Sequence, residues 1–307
     1  YPSPGGIFPM QTNRPSVFIL LLILIALSVA CSLSGTETKP EVPPEESSQD
    51  TIATAVAATL EANQPDDPMA TVFPTVHPSV TASPPEPNFN YAGVSFYFNE
   101  LLADNIAAGI IPSNYSAEAS WWSTPEHREF LFNNWILADA FHKPAIRIYP
   151  VAEFAEMNEN IGVRLDALKG VLAARSPDMA GMDVPDMFNA GQLFQSNIRF
   201  LDFQNGSGAR WLSQYGQAYF PIGFPSLFYT FQGFTTDGQY YISVVLPVNH
   251  PSLPNTMDIT MDDDFYNNID SYTAGIRNQL DGQADSSFVP SLVLLDEMVQ
   301  SLLVGNP

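Results

Sequence analysis

The chain has a single cysteine in 307 residues, Cys31, so no disulfide within the chain can brace it. Basic residues are scarce: 11 Lys and Arg stand against 33 Asp and Glu, for a formal net charge of −22. A surface of that sign repels phosphate backbones and anionic lipid headgroups, which argues against nucleic acid as a partner. The four histidines, His77, His127, His142 and His250, form neither a His-Glu-x-x-His motif nor another short metal spacing. There is no glycine-rich phosphate loop and no Gly-x-Ser-x-Gly elbow. The one long apolar run, residues 17–30, has 14 residues and falls short of the ~20 that a spanning helix needs. These absences leave stability to a packed core, which 45% apolar and 12% aromatic residues can supply.

The apolar run is the most informative segment. From Met10, read as the start, the order is polar residues, Arg14, the run, then small residues up to Cys31. That is the order of a secretory signal. All 33 acidic residues follow Cys31, and only Arg14 of the basic residues precedes it. Cation before the run and Glu37, Glu41, Glu45 and Glu46 after it match the positive-inside bias. Ser28-Val29-Ala30-Cys31 resembles the lipobox of bacterial lipoproteins: Val29 and Ala30 fit the pattern, while Ser28 stands where the family prefers an aliphatic residue. The resemblance implies cleavage between Ala30 and Cys31, a diacylglycerol thioether on Cys31, and membrane lipid as the first partner. Two or more acyl chains hold a protein on a bilayer stably where one does not. An uncleaved anchor over residues 17–33 and a plain secretory signal are the alternatives, and all three put the rest of the chain outside the cytoplasm.

Residues 31–88 read as a tether. Ten prolines, from Pro40 to Pro87, recur among Thr, Ser and acids, too polar a mixture to offset the entropy of ordering. A flexible chain of that length spans roughly 40 Å, and proline lengthens it. One island, residues 50–60, has Asp50 as a cap and Ile52, Val56 and Leu60 on one face, a marginal linker helix or a docking helix.

Residues 89–307 read as one α+β domain, with an antiparallel sheet covered by helices. Residues 93–98, 130–136 and 145–149 are expected strands. Phe154, Met157, Ile161, Leu165, Leu168 and Leu172 recur at spacings of 3, 4, 4, 3 and 4, the apolar stripe of one helix closed by Ser176-Pro177. After a loop over residues 178–191, residues 198–246 read as a four-strand meander, with Asn205-Gly206-Ser207-Gly208 as its first turn. Asp237-Gly238 predicts a two-residue type I′ hairpin that sets Phe231 opposite Val244 and Tyr229 opposite Leu246. Two closing helices follow. The first carries Phe265, Ile269, Tyr272, Ile276 and Leu280; the second carries Leu292, Leu295, Val299 and Leu302, with Ser286 or Ser287 as its cap and Pro290 near its first turn.

Gly93-Val94-Ser95-Phe96-Tyr97-Phe98, the hairpin at residues 227–246 and the closing helix ending Met298-Val299-Gln300-Ser301-Leu302 follow the order of PsbP-like domains, which the globular part resembles. Small bacterial envelope lipoproteins share that fold. The chain also resembles exported bacterial proteins with Thr/Pro-rich tethers. Neither likeness carries a catalytic residue across.

Candidate sites remain sparse. Glu126, His127, Asp139 and His142 have the chemistry of an acid–base site without any defining spacing. Asp262-Asp263-Asp264 with Asp258 offers carboxylates for a cation but lacks the EF-hand alternation, and reads as a helix start. Ser207 reads as a turn residue. Trp121 and Trp122, with Tyr115 nearby, are either buried anchors for a long loop or exposed ligand-contact aromatics. The leading expectation is an extracytoplasmic, membrane-anchored lipoprotein whose domain binds an envelope protein or small ligand, with no catalytic residue, metal or cofactor assigned. A hydrolase of polymer or peptide using His127 or His142 is the alternative, and the solute-binding component of a transporter is a third.

Overall fold

The computed structural model describes residues 84–116, 118, 122–175 and 182–307. Cys31, the signal, residues 31–83 of the tether with the 50–60 island and His77, and Trp121 lie outside the described residues. The chain divides into Tyr1–His77 and Pro78–Pro307, and all described residues belong to the second unit.

That unit opens with a clamp. The Asn88 side chain donates to the Phe98 carbonyl (2.8 Å) and accepts from the Phe98 amide (2.6 Å). β1 (Phe89–Tyr91) and β2 (Val94–Phe96) form a hairpin whose two turn residues, Ala92 and Gly93, have φ of 46° and 75°. A Cβ at Gly93 would lie 2.0 Å from the Asn306 carbonyl oxygen, so that position needs glycine twice over. β10 (Leu303–Val304) pairs with β2, making a three-stranded sheet from the two ends of the domain.

The main sheet has seven antiparallel strands in the order β3-β4-β5-β9-β8-β7-β6. They are β3 (Asn105–Ile111), β4 (His127–Asn133), β5 (Ala145–Pro150), β6 (Gly191–Phe203), β7 (Gly206–Gly216), β8 (Phe228–Thr235) and β9 (Tyr240–Pro247). The expected meander is present as β6–β9, and Phe231 faces Val244 and Tyr229 faces Leu246 as the apolar pattern requires. Two turns differ in detail. Gln204 and Asn205 make the first, so Ser207 lies in β7 opposite Asp202 and Phe234 rather than in a turn. At the other, only Gly238 of the pair has positive φ (70°), so a type I′ turn cannot form and a four-residue loop closes the hairpin. Asp237 stabilises that loop by accepting from Thr235 Oγ1 (2.6 Å) and the Gln239 amide (3.0 Å).

β4 starts three residues earlier than expected and stops at Asn133, because Asn134 takes φ of 54° and turns the chain. Trp135 then folds back into the core, its indole N–H donating to the Pro247 carbonyl (3.0 Å).

The first helical stripe is split. α1 (Val151–Met157) ends at Asn158, which is extended at φ −148° and caps α2 (Glu159–Ala174) by accepting from the Ile161 amide (3.3 Å). The stripe survives the break: Phe154, Ile161, Leu165 and Leu168 all pack inward. The next stripe is split in the same way at Asn268, between α3 (Asp263–Asn267) and α4 (Ile269–Asp281). Asp262 caps α3 by accepting from the Phe265 amide (3.0 Å), which gives the acidic run its local role. α5 (Leu292–Gln300) is capped by Ser291, not by Ser286 or Ser287, which fall in a 3-10 turn at Asp285–Ser287.

Three layers result. One face of the main sheet, with Phe130, Ile146, Phe231 and Val244, is covered by α4, α5 and the small sheet. The other, with Tyr149, Trp211, Phe228 and Tyr241, is covered by α1, α2 and the segment after residue 181.

Candidate functional site

Four adjacent strands each contribute a polar residue to a row across the α1/α2 face, in a largely apolar setting. The register lines them up: Glu129 on β4 faces Arg147 on β5, Arg147 faces Ser243 on β9, and Ser243 faces Gln232 on β8. Polar groups taken out of water need partners, and this row supplies them. Arg147 Nε donates to Glu129 Oε2 (2.7 Å). Asp186, from the segment before β6, drops onto the row. It accepts from Ser243 Oγ (2.7 Å) and Tyr149 OH (3.3 Å), and Arg147 Nη1 lies 3.9 Å from its Oδ2. Gln232 Nε2 donates to Thr230 Oγ1 (2.7 Å) and Ser243 Oγ (3.3 Å), while Tyr241 OH donates to Gln232 Oε1.

The row is closed at one end and open at the other. The Asp186 side chain is 4% exposed, Glu129 18% and Arg147 25%. Burial works against the Arg147 charge, but the facing Asp186, Tyr149 and Glu129 outweigh it and hold its pKa above the usual value. Burial, with Asp186 close by, pushes the Tyr149 hydroxyl well up, so it remains a donor.

His127 begins β4 at the open end. Its Nδ1 is 2.9 Å from the Pro125 carbonyl, which only accepts, so Nδ1 carries the proton and Nε2 of the neutral ring is an acceptor. Burial lowers its pKa, so the ring is neutral near pH 7. It packs at 4.5 Å on the Tyr149 ring. Beside it is a cavity of about 140 Å³, lined by Ile110, Glu126, His127, Arg128, Glu153 and Tyr240 among others. Arg128 is held by the Ala92 carbonyl (3.0 Å) and the Gly305 carbonyl (2.6 Å), with its guanidinium 4.5 Å over the Tyr240 ring.

His142 lies in a separate place. With Asp139, Trp135 and Lys143 it lines a groove of about 560 Å³ in the β4–β5 connection. Its ring is 4.6 Å from that of Phe228, and burial, aided by Arg147, takes its pKa down to about 4. The structure therefore joins Glu126 with His127 and Asp139 with His142, but not the two pairs. Trp122 is 47% exposed, and its ring lies 6.1 Å from Phe188, two residues beyond Asp186. Among the described residues no group of three or more His, Cys, Asp or Glu is arranged to hold a metal ion.

The polar row escaped the sequence reading because its members come from four strands and a loop. A signal was there in the strands: Glu129, Arg147, Gln232 and Ser243 are polar residues at positions where alternation with a buried face demands an apolar one. No protein-family model, curated protein or solved structure matches this chain.

Proposed function

We propose that this chain is an extracytoplasmic lipoprotein, held to a membrane by acylated Cys31 and a tether, whose α+β domain binds an envelope protein or small ligand without catalysing a reaction. The anchor rests on the lipobox-like Ser28-Val29-Ala30-Cys31 after an apolar run of signal length. The clamp at Asn88 falls where the Pro/Thr/Ser-rich composition ends, in keeping with a spacer that joins a folded unit at that residue.

The observation that carries the binding reading is the polar row. Its charges are already partnered, Glu129 with Arg147 and Asp186 with Ser243 and Tyr149, yet Glu129 and Arg147 reach the surface. Such a cluster suits recognition of a polar group through a preset surface. The test of the anchor is fractionation and intact mass. The wild-type chain is expected with the membrane and heavier by its acyl groups, and Cys31→Ser is expected in the soluble fraction. A membrane-bound wild type of unmodified mass overturns it.

One observation favours the hydrolase as a second reading: His127, with its Nε2 free to accept, shares a cavity with Glu126 and Glu153. Turnover of a fluorogenic peptide or wall-polymer substrate that disappears in His127→Gln would establish it.

A further inference from the structure

The two edges of the main sheet are treated differently. β6 is bulged at Gln192/Phe194 and Ser196/Arg199, and α4 occupies its backbone. Arg277 Nε donates to the Gln195 carbonyl (2.8 Å), and the Asn197 amide donates to Asp281 Oδ1 (2.6 Å). Bulges and coverage are the usual protections of an edge strand. β3 has neither. Its seven residues, Asn-Ile-Ala-Ala-Gly-Ile-Ile, pair with β4 in unbroken register and carry no charge and no proline. Among the described residues, the backbone of 105–111 bonds only to β4. Ile110 and Ile111 are exposed.

We infer that β3 is a docking edge for a basic, extended peptide segment of a partner, which adds to the sheet as an eighth strand next to β3. Main-chain hydrogen bonds supply the affinity in this mode, and side-chain pockets at alternate positions supply the selectivity. Charge chooses the occupant. Asp104 stands at the start of β3, and exposed Glu126 and Glu153 line the cavity that Ile110 shares at its far end. Neither glutamate is in an ion pair among the described residues; of the nearby cations, Arg147 is paired with Glu129, and Arg128, which bonds two carbonyls through Nη1, is only 4% exposed. A net charge of −22 steers a cationic partner toward the molecule and a second copy away from it. The chain's own tether is acidic, so it is repelled too. A seven-residue pairing also falls well short of the roughly 1,600 Å² that a stable interface between folded partners buries. This inference rests on the binding reading of the domain but not on its lipid anchor.

The test uses the full chain in non-ionic detergent. The probe is a fluorescein-labelled nonapeptide of alternating Lys and Val, read by fluorescence anisotropy. Three controls accompany it: the same peptide with Glu for Lys, the Lys peptide N-methylated at alternate bonds, and the Lys peptide against Ala107→Lys/Ile111→Lys. Those two residues are exposed on β3, and an unchanged melting temperature verifies that the variant is folded. The Lys peptide is expected to bind about tenfold or more tightly than each control, and more weakly at high salt. Equal binding by the N-methylated or Glu peptide, equal binding to the β3 variant, or no binding of the Lys peptide overturns the inference. So does a wild-type dimer in sedimentation that the β3 variant dissolves, since a second copy then holds the edge. Loss of acylation leaves these results unchanged, so the anchor and the edge fail separately.

Discussion

On the α4/α5 face of the main sheet, the charged cluster is built around an arginine that is wholly buried, Arg210; on the α1/α2 face, the central arginine, Arg147, is a quarter exposed. The sealed cluster centres on Arg210, 1% exposed, which donates to the Asn197 carbonyl (2.6 Å) and to Asp285 Oδ2 (3.0 Å) and lies 3.3 Å from Asp296 Oδ1. Tyr229 OH donates to Asp296 (3.1 Å), and Arg199 reaches both aspartates. These bonds tie α5 and the 3-10 turn to β6, β7 and β8. The open cluster ties down only the segment carrying Asp186, and its arginine is a quarter exposed. The difference is one of role within the cluster: a buried central charge fixes the elements around it, while one left partly in water loses less when its partner is removed.

The sharpest break of that comparison is to remove each arginine in turn. Arg210→Met leaves Asp285 and Asp296 with only the half-exposed Arg199 as a cation and is expected to cost about 3–5 kcal/mol in urea unfolding. Arg147→Met leaves Glu129 near water and the buried Asp186 with only its hydroxyl donors, Ser243 and Tyr149, and is expected to cost roughly 1–3 kcal/mol. Equal losses would mean that the two clusters do the same structural work, and the binding assignment of the open one would lose its basis.

Acid distinguishes the faces next. His142, on the open side, has a pKa near 4 in the fold against 6.5 in the unfolded chain. Its contribution is therefore complete above pH 6.5 and lost as pH falls toward 4, by up to about 3 kcal/mol. Asp296, on the sealed side, has its pKa raised from 3.8 to about 6, by burial against the pull of Arg210. It acts in the opposite sense: stability is lost as pH rises from 3.8 to 6, and regained on acidification. His142→Phe is expected to flatten the acid loss between pH 6.5 and 4, and Asp296→Asn to steepen it between pH 6 and 4. Unfolding free energies measured across that range decide it, and parallel profiles for wild type and both variants would break the contrast.

How these clusters relate to the sequence is itself physical. Alternation and the Asp237-Gly238 signal were enough for the β8–β9 register, because lengthening the loop by one residue on each side leaves every cross-strand pair unchanged. Apolar stripes located both helical faces but not the breaks at Asn158 and Asn268, since the period continues across them. β3 was missed because Ala107-Ala108-Gly109 has little strand propensity, and its pairing with β4 is what makes it a strand. Neither polar cluster was legible, because each is assembled by register between distant segments. Arg210 and Asp296 are 86 positions apart, and Arg147 and Asp186 are 39 apart.

Asp186→Asn probes the open cluster alone. The amide keeps the shape but removes the charge facing Arg147 and weakens acceptance from Ser243 and Tyr149. A loss of about 1–3 kcal/mol is expected, with faster amide exchange confined to residues 182–190. Exchange spreading to α5 would mean that the two faces are coupled through the sheet rather than independent.

The smallest effect belongs to Trp122. Half of its surface faces solvent and its ring leans on Phe188, so Trp122→Ala is expected to cost under about 1 kcal/mol of stability. A buried loop anchor would cost about 3–5 kcal/mol, and urea unfolding separates the two values. The small value fits an aromatic that lies on the surface against Phe188, and the large one would move it into the core of the loop packing.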